Sequence, residues 1–431
     1  MKRIYCGLLA AALLAAPVFP QDPANGDARQ RRRAARDLVR QGPEAIPRLA
    51  AMLKDPDLEV RIEAVKSLVE IDTARSLDPL MEALQDNDPE IQIRATDGLV
   101  NFYLPGYVRT GLTASLRRTG SRLMSRFTDT NDQVIDPYVE VRPEVIQALG
   151  KLVRGGSSME SRANAARAIG ILRGQAAIPD LLEGVRSKDS QLMYECLVAL
   201  QKIRDQRAGP KVGFLVRDLD KKVQIAAIET AGLLYNREAL PDLREVLRST
   251  RDRDVRRAAL TALAMLPDPE NGPLLRQYLT DRDAGLRGAA AEGLGRLKDP
   301  SDLPTLEKAF EDERDASARL SLAFALVLHG RLSTSELTPL RYLIDNLNSA
   351  RRSGQAQPLL IELARDARVR QALHPAIRTG TKDEKIGLAW VLARSGGPED
   401  VEVLEALTRD ADLTVASEAL RAVRTLKARI G

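Results

Sequence analysis

Apolar residues recur at i, i+3, i+4 and i+7 in segment after segment, as in Val60, Ala64, Val65 and Leu68, or Val255, Ala259, Leu260 and Leu263. That spacing gathers them on one face of a helix with 3.6 residues per turn. A short acidic turn precedes each such segment, for example Lys54-Asp55-Pro56-Asp57 or Gln85-Asp86-Asn87-Asp88-Pro89. Before the turn lies a second apolar stretch, such as Ile46-Pro47-Arg48-Leu49 or Ile178-Pro179-Asp180-Leu181-Leu182. Asp caps free amides at a helix start, and Pro is tolerated in the first turn. The pattern therefore predicts antiparallel helix pairs.

The pairs repeat with a fixed period. A residue couple near the start of the second helix recurs as Val60-Arg61, Ile91-Gln92, Ser161-Arg162, Leu192-Met193, Val223-Gln224, Val255-Arg256, Leu286-Arg287 and Ala318-Arg319. From Ser161 the steps are 31, 31, 32, 31 and 32 residues. A period of that size is the mark of a solenoid, in which each unit packs only on its neighbours. The expected fold is an all-α, right-handed α-solenoid of about ten helix pairs, built on an about 31-residue period. Ala and Gly inside the second helices (Ala163, Ala166 and Gly170; Ala289, Ala290, Gly293 and Gly295) suit close helix approach.

The turn Asp followed by Val-Arg and an Ala-rich helix, as in Asp57-Leu58-Glu59-Val60-Arg61 and Asp252-Arg253-Asp254-Val255-Arg256, resembles HEAT repeats of the short phycobilisome-lyase type. The resemblance runs from about Ala28 to the end, apart from two irregular stretches. It implies first helices on a convex face, second helices on a concave one, and a structural role for Arg61, Arg256, Arg287 and Arg319. It says nothing specific of function, because a fold is not a function.

The expected organisation is a signal peptide over 1–20, repeats over 28–100, an insertion over 101–142, repeats over 143–332, degenerate repeats over 333–380, and repeats over 381–431. In the insertion, Phe102, Tyr103, Tyr107, Phe127 and Tyr138 are five of the fifteen aromatics in the chain. Arg109, Arg117, Arg118, Arg122 and Arg126 accompany them, with no acidic residue between Phe102 and Thr128. Tyr, Phe and Arg are the residue types of interface hot spots, and insertions leave a solenoid on one face. These ten residues are the candidate partner contacts, and bracing of neighbouring repeats is the competing reading. Asp129, Asn131, Gln133 and Glu140 mimic the spacing of a calcium loop, but Val134 replaces the required Gly and Pro137 interrupts the loop. Turn formation explains the same residues, and no metal site is expected.

Charge narrows the partner. There are 65 basic and 60 acidic residues, a formal net charge of +5 on 431 residues. A polyanion- or nucleic-acid-binding solenoid is the runner-up reading, since the Arg content allows a cationic concave surface. The interleaving of the two signs along every repeat and the export signal at the N-terminus oppose it. The expected partner is a protein or peptide. An anionic surface or polysaccharide is the narrower option, resting on the insertion arginines and on Arg29, Arg31, Arg32, Arg33, Arg36 and Arg40 of the first helix. That run is otherwise the solvated face of a terminal repeat.

Lys2 and Arg3 before an apolar run from Ile4 to Ala16, with a polar exit over Pro17 to Gln21, read as an export signal cut between Ala16 and Gln21. The run falls short of the ~20 residues of a spanning helix, so no integral span is expected after cleavage. Cys6 would leave with the signal, and Cys196, most simply a core residue, would remain alone, with no internal disulfide. The expected location is periplasmic or secreted. The only histidines, His329 and His374, have no Glu or second His at ligand spacing; His329 reads as a helix end and His374-Pro375 as a loop. No phosphate loop, nucleophile elbow or zinc spacing is visible. The sequence thus presents no catalytic residue, metal ligand or cofactor site, and a lyase-like or hydroxylase-like enzyme stays the remote alternative.

Overall fold

In a computed structural model the described residues are 26–108 and 133–431, and among them the chain is helical with no strand. Two layers of helices run its length. The inner layer comprises α1 (Ala28–Asp37), α2 (Leu58–Ile71), α3 (Pro89–Tyr103), α4 (Met159–Ile171), α5 (Ser190–Ile203) and α6 (Lys221–Leu233). It continues with α7 (Arg253–Met265), α8 (Ala284–Leu297), α9 (Ala316–Leu328), α10 (Ser353–Leu363), α11 (Lys382–Ser395) and α12 (Leu413–Ile430). Each inner helix packs on the next, and from α2 onward each is preceded by an outer helix such as Ile46–Met52, Ile178–Gly184 or Leu240–Ser249. Among the described residues this gives eleven pairs, with α1 an inner helix standing before them.

The repeating couple takes the same place each time. Val60, Ile91, Ser161, Leu192, Val223, Val255, Leu286 and Ala318 are each the third residue of an inner helix, and all are buried. The preceding Asp is the N-cap: the Asp57 carboxylate accepts from the amides of Glu59 and Val60, and Asp88, Asp220, Asp252, Asp283 and Asp315 act alike. Such a cap is worth ~1 kcal/mol. The Arg after the buried residue closes the turn. Arg61 donates to the Asp55 carbonyl at 2.9 Å and pairs with Asp86 of the next repeat at 2.8 Å. Arg287 does the same with the Asp281 carbonyl (2.8 Å) and Glu313 (2.7 Å). Arg256 reaches the Thr250 carbonyl at 2.9 Å, while Arg319 lies over the rings of Phe310 and Tyr342 at 4.7 and 5.1 Å. All four are structural.

Inner helices cross at small residues. A Cβ on Gly295 of α8 would lie 2.6 Å from Ala325 Cα of α9, and one on Gly170 of α4 would lie 2.8 Å from Ala199 Cα of α5. Only a hydrogen fits there, which explains Gly in the middle of a helix despite its poor propensity. The stretch 333–380 keeps the alternation, with the outer helix Pro339–Asp345, inner α10 and the outer helix Ala367–Thr379. His374 is not in a loop, as its neighbour Pro375 suggested. Both residues sit inside Ala367–Thr379, and His374 Nε2 hydrogen-bonds Asp400 at 2.8 Å. His329 is the C-cap of α9, and Cys196 is fully buried in α5.

The run of arginines on α1 is only partly a solvated face. Arg31 pairs with Asp55 at 2.7 Å, and Arg32 and Arg36 both reach Glu63. These three bind α1 to the next repeat. No helix of the described residues is long and apolar enough to cross a membrane.

Candidate partner-binding surface

The insertion leaves the solenoid between α3 and the outer helix Pro143–Gly155, yet α3 packs directly on α4, so the inner layer is continuous beneath it. Of the ten candidate contact residues, Arg109, Arg117, Arg118, Arg122, Arg126 and Phe127 lie outside the described residues. So do Asp129 and Asn131 of the calcium-like spacing and the basic-apolar run at the N-terminus.

Phe102 and Tyr103 are the last turn of α3, their rings edge-to-face at 4.9 Å. Tyr103 is 8% exposed, and its hydroxyl accepts the Arg142 amide at 3.2 Å. It holds the two feet of the insertion together, which is a bracing role. Tyr107 is half-buried, and the following amide, of Val108, donates to Asn101 Oδ1 at 2.8 Å. Tyr138 is exposed, on the returning arm.

That arm crosses to the far end of the molecule. The Ile135 amide donates to the Ile171 carbonyl at the end of α4 (3.0 Å), and the Ile135 side chain is buried. The next residue, Asp136, accepts from the Tyr138 hydroxyl at 2.9 Å and from Arg421 Nε and Nη2 at 3.0 and 2.8 Å. Arg421 belongs to α12, 285 residues further along, and stacks over Trp390 of α11 at 5.0 Å. The solenoid therefore curls until its last repeats face the fourth inner helix, and the inner layer lines the enclosed, concave side. Tyr138 and Asp136 form a clasp across that curl.

The concave wall is charged. Arg167 of α4 meets Glu195 of α5 at 2.5 Å, and Gln191 supports the same carboxylate at 2.7 Å. Asp97 of α3 accepts from Asn164 of α4 at 3.0 Å, and burial pushes its carboxyl up to about 6. Burial alone raises Glu229 of α6. Arg296 of α8 bridges Glu292 (3.3 Å) and Glu362 of α10 (2.7 Å) and stacks over Phe324 at 4.8 Å. Burial also raises Glu292, against the pull of Arg296 and of Ser321, which donates to it. These groups remain reachable from solvent yet stand between protein walls, the environment of a groove. The sequence carries a signal for them: the ninth residue of most inner helices is ionisable, as Lys66, Asp97, Arg167, Glu229, Glu292 and Arg421.

The architecture is that of an α-solenoid of two-helix repeats. HEAT repeats match at residues 24–100, 212–279 and 245–327, and a PBS lyase HEAT-like repeat matches at 161–187. The chain is a HEAT-repeat protein. Among solved structures it is similar to an engineered protein (20% identity, 89% of this chain and 98% of that chain, TM-score 0.36). It is similar also to the complex of CpcE and CpcF of phycocyanin lyase from Nostoc sp. PCC7120 (19% identity, 76% and 97%, TM-score 0.32). A third comes from a structure described as showing that Kap95p binding induces the switch loops of RanGDP to adopt the GTP-bound conformation (13% identity, 95% and 60%, TM-score 0.44). A search of curated protein sequences finds no match.

Proposed function

We propose that this protein is an exported, non-catalytic scaffold that holds a protein or peptide partner along its concave layer, with the insertion adding contacts at the rim. The observation that carries this reading is Glu229, an exposed carboxylate on the concave wall that neighbouring protein partly desolvates, raising its pKa, with no charged or hydrogen-bonded partner among the described residues to offset the cost. A partly desolvated acid costs stability until something pairs with it. Trp390 and Tyr138 on the same side offer the large, rigid contact area that interface anchors use. The mixed charge of the wall suits a polar, charged segment of protein more than a uniform polyanion.

A photo-crosslinking side chain at Glu229 and another at Tyr138, each in the full chain in its native host, should give discrete adducts with one protein. The same probe at Arg248 on the outer helix Leu240–Ser249 is the control. Equal adducts from Arg248, or none from the concave positions, would overturn the proposal. Export is tested separately by mass spectrometry of the mature N-terminus. A cut between Ala16 and Gln21 in the cell envelope supports it; an uncut chain confined to the cytoplasm refutes it.

A further inference from the structure

Most arginines of the repeats have a carboxylate: Arg31 with Asp55, Arg61 with Asp86, Arg276 with Asp302, Arg287 with Glu313. Four do not. Arg173, Arg204, Arg365 and Arg394 have neither an ion pair nor a side-chain hydrogen bond among the described residues, and the curl of the solenoid brings them together.

Their placement follows from the repeat. Arg173 and Arg204 stand at the ends of α4 and α5, one repeat apart, both in the left-handed backbone region (φ 50° and 64°). Gly or Asn is the usual residue there, and an Arg takes that conformation at some cost. On the opposite wall, Arg365 follows α10 and Arg394 occupies the last turn of α11, again one repeat apart. The clasp from Asp136 to Arg421 sets the two walls face to face. Arg394 lies near enough to both Arg173 and Arg204, and Arg365 to Arg204, for the like charges to repel. Protein walls crowd Arg173 and Arg204 although water still reaches them, and desolvation first, then like charge, pushes both guanidinium groups below their ordinary value. Both side chains are exposed, as at a concave surface. The carboxylate that acts on Arg173 is Asp136, which Arg421 and Tyr138 already hold.

The residue type matters. A cluster of lysines could relieve repulsion by releasing a proton, but a guanidinium cannot at any ordinary pH. Water screens part of the repulsion at these exposed groups; a bound anion would relieve the rest, and planar forks converging from two walls suit tetrahedral oxyanions. The ends of α4 and α5 contribute carbonyl oxygens that favour a lone Arg, yet among the described residues no side-chain bond from these four to a carbonyl is formed.

We propose that Arg173, Arg204, Arg365 and Arg394 form a binding site for a compact, multiply charged phosphate-class anion, held between the two walls of the curl. The site is distinct from the partner-binding role, and either can fail without the other.

The test is calorimetric titration of the full chain with pyrophosphate, with sulfate and acetate at matched ionic strength as comparisons. One pyrophosphate per chain is expected, with weaker sulfate and no acetate binding. The double variant Arg173→Ala with Arg394→Ala should lose at least ~10-fold in affinity, whereas Arg248→Ala should lose nothing. Without anion the double variant should melt no lower than the parent, since like-charge repulsion has been removed. Absence of pyrophosphate binding, equal binding by the double variant, or a lower unliganded melting temperature would each overturn the site. Vesicles containing anionic phospholipid form a second arm. If the double variant lost vesicle binding while neither protein bound pyrophosphate, the ligand would be a membrane headgroup and the compact-anion assignment would fall.

Discussion

Consider Gly295→Ala. The new methyl carbon would sit 2.6 Å from Ala325 Cα and 2.8 Å from Ala325 Cβ. Carbon atoms in contact prefer ~3.5–4.0 Å, so α8 and α9 must separate by roughly 1 Å. Neither obstacle is the end of a flexible side chain that could swing away, and one of them is backbone. Overpacking of this kind costs ~1–3 kcal/mol, while Gly to Ala inside a helix gains ~1 kcal/mol. The net expectation is a loss of about 1 kcal/mol. The matched comparison is Gly354→Ala in α10, where nothing lies within 4 Å of the new carbon and the backbone is helical. There the propensity term acts alone, and the chain should gain about 0.5 kcal/mol. Urea unfolding should be followed by far-ultraviolet circular dichroism and by the fluorescence of Trp390, the sole tryptophan. Both probes are needed because a long repeat array need not unfold in one step. If Gly295→Ala proved as stable as the parent, or both substitutions moved stability the same way, the close crossing of inner helices would be refuted.

Three further outcomes follow from the groove and the core. Asp97 is raised to about 6 in the folded chain from an ordinary 3.8. The folded state therefore holds a proton that the unfolded state has lost, and stability falls as pH rises between those values. Asp97→Asn keeps the acceptor for Asn164; because solvent reaches part of the side chain, the gain at pH 7 should be about 1–2 kcal/mol, with a flatter stability profile between pH 4 and 6. An unchanged profile in the variant would refute the assignment. Arg296→Met should cost about 3 kcal/mol at pH 7 by leaving Glu292 and Glu362 facing each other. The deficit should shrink as pH falls through the raised range of Glu292; a pH-independent loss would point to packing alone. The buried Cys196 thiol, pushed up by desolvation, should resist a disulfide reagent in the native chain and react on unfolding; rapid native labelling would contradict its place in the core.

The repeats were legible because they are local. The cap, the buried third residue and the bridging Arg all lie within one period, so Asp57, Val60 and Arg61 announce themselves wherever the chain is read. Tyr103 was read as a possible contact because composition does not say which way a helix faces, and the helix α3 turns it inward. His374 was misplaced by its Pro neighbour: proline signals a break, yet Ala367–Thr379 carries Pro375 within it. The clasp was beyond reach for a different reason. A pairing between Asp136 and Arg421 depends on the small rotation added at every repeat between them, and no single repeat encodes that sum. The arginine cluster inherits the same difficulty, since each member looks like an ordinary surface residue until the walls meet.

The clasp also sets an order of assembly. Helix pairs that touch only their neighbours close short loops and form quickly from any point along the chain. The contact of Asp136 with Arg421 spans 285 residues and has no partner until the intervening repeats exist. It must therefore form after them, as a single slow, long-range step on a scaffold otherwise built from fast local ones. During synthesis the arm would wait, its aspartate solvated, until nearly the whole chain had emerged.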